Sequence, residues 1–363
     1  MENPMKAGRT FDDFIAEIER RANAKKDVVV NTSNLSLQPS LELNVAGQFA
    51  VGVNEIAHDQ IGQHCEIPAK YYDKMRAQAP DLLSANVNRW FQQGPEDRMV
   101  RMLDDNARAF LSKSYRPLEN EDLALAAIPP LKDLGVDIMS MEITDRRLYI
   151  KAVDPKVTRE LKAKGGTFGD GQHNIVRVLA PAITISNSEV GMGALSVLGG
   201  VYDGFCSNLA TFGERSVRKY HAGARHELTN EQTFALLSDE TRRKTDAALW
   251  AQVGDIVRAA FKAAEFDALC NKIAETQEQK IEGDPIKVVT LTTRKLGMTE
   301  AEGKVTLKHL IEGADLSRFG LYNAITRAAQ DVESYDRATE LERLGAQVIE
   351  LPAKDWKPIL QAA

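Results

Sequence analysis

Three cysteines in 363 residues, Cys65, Cys206 and Cys270, are too few and too scattered for a disulfide framework. No Cys-x-x-Cys pair occurs, which argues against a cysteine-built zinc ribbon. Aromatic residues make up only 6% of the chain. No run approaches the roughly 18 apolar residues of a membrane span, and the N-terminal MENPMKAGRTFDDF has no apolar signal-peptide core. A cytoplasmic protein with no membrane partner is expected. The well-marked catalytic motifs are missing too: there is no GxxxxGK[ST], GxSxG or HExxH, and GDGQHN at Gly169 has loop-like glycines without a dinucleotide fingerprint. P-loop ATPases and most well-marked enzymes are thereby disfavoured, and no cofactor is expected.

What remains is an ordinary globular composition, 43% hydrophobic and 27% charged, long enough for one large or two ordinary domains. A net charge of −6 means that the whole molecule is not a polycation. The charge is uneven, however. Residues 98–225 hold 18 Lys/Arg against 15 Asp/Glu, and the remainder holds 28 against 37. Such asymmetry suits a nucleic-acid face on an acidic body.

Periodicity places a helix at 11–24 behind the cap Thr10, strands from Val28 and from Leu41, and helices after Pro68 and from Asp81. RMVRMLDDNARAFLS reads as a hairpin turning at Asp104-Asp105-Asn106, and VDIMSMEI with RLYIKAV as a second one. Pro129-Pro130 is expected to break or kink the helix ENEDLALAAI, and Pro181 to interrupt the strand IVRVLAPAITIS. GMGALSVLGGVYDGFCSN fits a helical stripe through Leu195, Leu198, Val201, Tyr202 and Phe205. Beyond Leu228 the pattern is mostly helical: Thr229–Gln232 and Thr299–Glu302 have capping-box spacing, and Leu249, Val253, Val257, Ala260, Phe261 and Ala264 form one stripe. Asp284-Pro285 and Gly297 bracket a helix, although IKVVTLTT within it favours strand. The fold class is therefore α+β, a hairpin-rich antiparallel sheet packed by helices over residues 1–226, followed by a mostly helical region over 227–363.

Metal chemistry has weak support. His58, His64 and Cys65 lack a fourth ligand at usual spacing, His221 and His226 belong to a basic stretch, and His173 and His309 have no evident partner. Asp137, Glu142, Asp145 and Lys151 resemble a nuclease set but equally suit a solvated hairpin face. Three basic clusters are more suggestive. Arg98, Arg101, Arg108, Lys113 and Arg116 surround Tyr115. Arg146, Arg147 and Lys151 surround Tyr149. Arg215, Arg218, Lys219 and Arg225 surround Tyr220. Cations neutralise phosphates while aromatic rings stack on any base, which is what a single-strand binder needs.

Three segments, RMLDDNARAFLSKSYRPLENEDL, SNSEVGMGALSVLGGVYDGFCSN and RFGLYNAITRAAQDVESYDRATELERLG, resemble a family of phage- and plasmid-related proteins known only as a domain of unknown function. One departure is visible: Leu209 follows Cys206-Ser-Asn208 where the family pattern has Gly. The resemblance implies a mobile-element context and no catalytic residues. The leading expectation is an oligomeric, ATP-independent single-stranded DNA binder, in its finer form a strand-annealing recombination protein. The alternative is an anti-defence or host-interaction protein docking through its helical C-terminal region, with YDRATELERLG as a candidate surface. A metal-dependent nuclease ranks third.

Overall fold

A computed structural model describes residues 6–45, 49–163, 175–204, 208–212 and 239–361. The chain is α+β, with a strand-rich N-terminal part and a helical C-terminal region. The strands form two sheets. The first contains β1 (Lys26–Asn31), β2 (Leu35–Leu37), β3 (Leu43–Val45), β4 (Phe49–Val53), β5 (Asp97–Leu103) and β6 (Asn106–Ser112), in the order β1-β5-β6-β4-β3-β2. Its pairings are antiparallel except β4 with β6. The second contains β7 (Asp137–Ile143), β8 (Leu148–Val153), β9 (Arg159–Ala163), β10 (Ile175–Asn187), β11 (Ser196–Asp203) and β12 (Asn208–Thr211), in the order β12-β11-β10-β8-β7, with β9 on the leading half of β10.

Local chemistry sets the elements. The Thr10 hydroxyl accepts from the Asp13 amide to start α1 (Phe11–Ala24), and the Asn54 side chain caps α2 (Glu55–His64). Pro68 precedes α3 (Ala69–Gln78), and Pro80 takes the first position of α4 (Pro80–Gln93). The β5–β6 turn holds Asp104 and Asp105 at φ of 50° and 59°, a left-handed conformation that short acidic side chains tolerate.

Three sequence expectations are corrected. The helix α5 (Asn120–Leu134) runs through Pro129 and Pro130 and ends at Gly135, which is left-handed with φ 62°. Each proline forgoes only one amide in the final turns. The carbonyls so released are those of Leu125, an exposed residue, and of Ala126, whose oxygen faces Gly254. Likewise β10 is unbroken at Pro181. It pairs with β9 over 175–179 and with β8 from Ala182 onward, so the missing amide falls where one partner strand gives way to the next. The segment with the helical stripe is strand β11. Leu195, Val197 and Val201 also fit a period of two, and eight residues of pairing with β10 decide the conformation. The helix expected between Asp284-Pro285 and Gly297 is present in spite of the β-branched run IKVVTLTT: α8 (Pro285–Lys295) starts under the Asp284 cap and buries Val288, Val289, Thr292 and Thr293.

The long apolar stripe after Leu249 is shared by two helices, α6 (Asp239–Ala259) and α7 (Ala263–Glu275). Then come α9 (Glu300–Glu312), opened by the Thr299–Glu302 capping box, α10 (Arg318–Ala328), α11 (Tyr335–Glu350) and α12 (Ala353–Leu360). The capping-box spacing at Thr229–Gln232 lies outside the described residues. Helices α2–α4 cover one face of the first sheet, burying Phe91 against Val100 and Phe110. The second sheet is covered on both faces. Ile150, Ile183, Ile185 and Val197 pack with α1, α5 and α6, while Leu179, Val201, Ala210 and Phe212 share a core with α7–α12. Among the described residues, no helix is long and apolar enough to cross a membrane.

Candidate functional site

The first basic cluster lies mostly inside the protein. On β5, Val100 and Met102 face the α2–α4 core, so Arg101 points the other way, toward the loop after β10. It is fully buried, donating to both Asp27 oxygens, to Glu119 at 2.7 Å and to the Glu189 carbonyl at 2.8 Å. The register skips Arg108, because Arg101 faces Ala109 and Met102 faces Ala107. This bulge turns Arg108 onto the Glu189 carboxylate at 2.8 Å. Glu189 also receives the Asn120 amide, and Asn187 donates to Leu118 O and Asn120 Oδ1. Lys25 completes the set at 2.9 Å from Glu119, whose carboxyl Arg101 and Lys25 hold below its ordinary range despite burial. Lys25, Arg101 and Arg108 thus balance Asp27, Glu119 and Glu189.

The second cluster meets the same loop. The Tyr115 hydroxyl donates to Ser188 O at 3.1 Å, Ser188 Oγ donates to Arg146 O, and Arg147 donates twice to Met192 O. Gly193, at φ 149°, lies so close under the Arg147 guanidinium that a Cβ there would overlap it. Farther along β8, Tyr149 and Lys151 face the C-terminal helices. Tyr149 donates to Asp336 at 2.8 Å, and the fully buried Lys151 donates to both oxygens of Glu342 at 2.7 and 2.9 Å. Burial pushes the Glu342 carboxyl up even with the lysine beside it. Tyr335 shares this pocket, its hydroxyl 2.6 Å from Ser140 Oγ.

The expected groove of solvent-facing cations is therefore corrected for most of its members. Arg101, Arg108 and Lys151 are buried in ion pairs. Tyr115 and Tyr149 bond inward, Arg147 is fastened to a backbone carbonyl, and Arg116 pairs with Asp246 of α6. Arg98 lies over the Phe110 ring and reaches Glu96. Only Lys113 (65% exposed, near Asp97) and Arg146 on the β7–β8 turn present cations outward among the described members of the set. The reason is that both hairpins have a second covered face, which alternation in a sequence does not reveal. Arg215, Arg218, Lys219, Tyr220 and Arg225 lie outside the described residues.

The other candidates fare similarly. His58 is buried against the Tyr72 hydroxyl at 2.9 Å, and burial, with Arg76 nearby, lowers it to about 4. Burial raises the Cys65 thiol to about 12. His64 sits 3.2 Å from Glu96. His309 does have partners, Asp331 at 2.7 Å and Glu312 at 3.4 Å. His173, His221 and His226 lie outside the described residues. In the nuclease-like set Lys151 is taken by Glu342 and Glu142 by Arg9. Among the described residues no cluster of three His, Cys, Asp or Glu is placed to hold a metal. YDRATELERLG is not an open surface: Tyr335, Ala338, Leu341, Glu342 and Leu344 face inward.

A polar pocket of about 70 Å³, which the sequence reading missed, opens between β10, β12, α9 and α10. Arg177 bridges Asp203 at 2.6 Å and Asn323 Oδ1 at 3.2 Å, and Asn208 accepts from Gln330 at 2.6 Å. Polar residues set among buried apolar neighbours were the available signal. A larger apolar cavity of about 390 Å³ lies between β11 and α6–α7, floored by Gly199 and walled by Phe212, Ile256 and Phe266. Comparison of the chain with protein-family models, curated proteins and solved structures finds no match.

Proposed function

We propose that this chain is a single-stranded DNA-binding protein of a mobile element, acting without ATP as an oligomer that anneals strands. The observation that carries this reading is the convergence of the first two basic clusters on one loop. Tyr115 and Arg147 both bond its backbone, and the exposed Lys113 and Arg146 lie beside those anchors. The buried pairs thus act as a frame, and phosphate contact falls to Lys113, Arg146 and the sequence cluster Arg215, Arg218, Lys219, Tyr220 and Arg225. This frame would fix the outward cations in place, with Lys113 exchanging its exposed pairing to Asp97 for a phosphate.

The test is a gel shift with labelled single-stranded oligonucleotide over a salt series. Wild type should bind, with affinity falling steeply as salt rises. The Lys113→Glu, Arg146→Glu double variant should bind more weakly, with a slope shallower by about 1.4, since each lost phosphate contact on a single strand removes about 0.7. No binding at low salt, or binding indifferent to salt, overturns the proposal.

One observation favours the docking alternative. Tyr71 and Leu82 are 48% exposed and Trp90 is 46% exposed, all on the neighbouring helices α3 and α4. A stoichiometric partner that survives nuclease treatment of a host lysate, and is lost with Trp90→Ala, would favour that reading over DNA.

A further inference from the structure

We propose that the polar pocket between β10, β12, α9 and α10 receives the edge of a single pyrimidine base. The inference rests on the strand-binding reading and adds to it a site for the base.

The argument starts with the Asn323 amide. Its oxygen accepts from Arg177, and a guanidinium has only donors, so the amide cannot be turned round. Its NH₂ group is therefore directed away from Arg177, and it is buried without an acceptor, in a side chain 91% buried by its 9% exposure. Such an orphan donor is unfavourable unless something fills the pocket and accepts from it. Asp315 lines the same pocket and supplies the complement. Its Oδ1 is buried without a hydrogen bond, and the Lys280 ammonium stands off at 3.6 Å. One pocket thus offers an unmet amide donor and a carboxylate oxygen that is ion-paired at 3.6 Å but accepts no hydrogen bond.

Charge and size narrow the ligand. Arg177 is already engaged by Asp203 at 2.6 Å, and the lining sets the exposed Arg327 against the carboxylates of Glu312 and Asp315, so the pocket has no excess of positive charge to select a phosphate. A neutral group with a donor and an acceptor on one edge fits better, and both cytosine and thymine carry such an edge. A volume of about 70 Å³ corresponds to roughly five water-sized spheres, enough for one ring and too little for a fused pair. Leu310 and Ala324 supply apolar contact for the ring, and Gly320 has no side chain to intrude.

The experiment measures binding of oligo(dT), oligo(dC) and oligo(dA) of equal length to the full chain, for wild type and for Asn323→Asp. Aspartate keeps an acceptor for Arg177 and replaces the unmet donor with an acceptor, so the fold is retained. Asp315→Asn serves as an independent variant at the second polar group of the lining. Wild type should bind the pyrimidine oligomers about tenfold more tightly than oligo(dA). Either variant should remove that preference and leave the salt slope unchanged. Equal binding of all three by wild type, or a preference that survives in both variants, overturns the pocket and leaves strand binding standing. Failure of every oligomer to bind at low salt overturns the strand-binding reading and this inference with it.

Discussion

The hairpins β5–β6 and β7–β8 have strands of similar length and each carries cations near a tyrosine, yet they treat those cations differently. In the first hairpin the charged residues are graded, from Arg101 with no exposure to Lys113 at 65%. In the second, all six residues of β8 are buried, and Lys151 is neutralised by a carboxylate from 191 residues away. The difference lies in what covers each sheet. The first sheet bears one helical layer, and the other face of β5–β6 is covered by the loop after β10, through Val190 and Met192 as well as Glu189. The second lies between two layers, so a charge on either face must find an internal partner.

The largest effect should come from breaking the two-layer side of that contrast. Glu342→Ala leaves the Lys151 ammonium buried and unpaired, with an expected loss of about 3–5 kcal/mol in urea denaturation. Replacing both partners, Lys151→Met with Glu342→Leu, should restore most of it, because well-packed apolar residues remove the need for the pair. A loss below about 1 kcal/mol for Glu342→Ala would mean that the second sheet tolerates a lone charge, and the contrast with the first sheet would fail.

Acid should act on the first sheet's helical layer. Folded His58 titrates near 4 because burial, with Arg76 nearby, resists the proton, whereas the unfolded chain takes it up near 6.5. Between those values the unfolded state binds the extra proton, so this contribution is complete above pH 6.5 and is lost as pH falls toward 4. Its size is on the order of 3 kcal/mol at most. The urea midpoint of wild type should fall over that window, and His58→Phe, which cannot titrate, should flatten the fall. An unchanged slope in the variant would remove His58 from the account.

A smaller effect separates the two guanidinium sites of the first hairpin. Arg101→Met should cost about 1–3 kcal/mol, because its partners Asp27 and Glu119 keep 31% and 22% side-chain exposure and regain water. Arg108→Met should cost more, since Glu189 keeps only 7%. Equal losses would show that the bulge at Arg108 has no special energetic role.

These contrasts explain how far the sequence could be read. Caps, turns and single-faced helices are local, so Thr10, Asp104-Asp105 and the Thr299–Glu302 box were legible from a few neighbours. Pro181 was misread because its tolerance depends on where β9 gives way to β8, and β11 was misread because Leu195, Val201 and their neighbours satisfy both periods. The cations were harder still. Arg101 and Lys151 look like hairpin decoration until Glu119 and Glu342 arrive from 18 and 191 residues away. The pocket residues Arg177, Asn208 and Asn323 are likewise assembled from separate segments, and no spacing rule joins them.

The smallest expected effect on stability is also the one that ties the contrast to function. Lys113 and Arg146 stand outside the internal network. Truncating an exposed lysine whose carboxylate neighbour is 41% exposed removes an interaction that water and salt already weaken. Lys113→Ala and Arg146→Ala should therefore each leave the urea midpoint within about 0.5 kcal/mol of wild type. The same two variants should weaken single-strand binding in the salt series, whereas Arg101→Met should weaken it only as far as it unfolds the chain. That dissociation is what an inner frame with an outer contact surface requires. If Arg101→Met reduced binding at temperatures where the variant is fully folded, or if Lys113→Ala destabilised the chain as much as Arg101→Met, the division between inner and outer cations would be drawn in the wrong place.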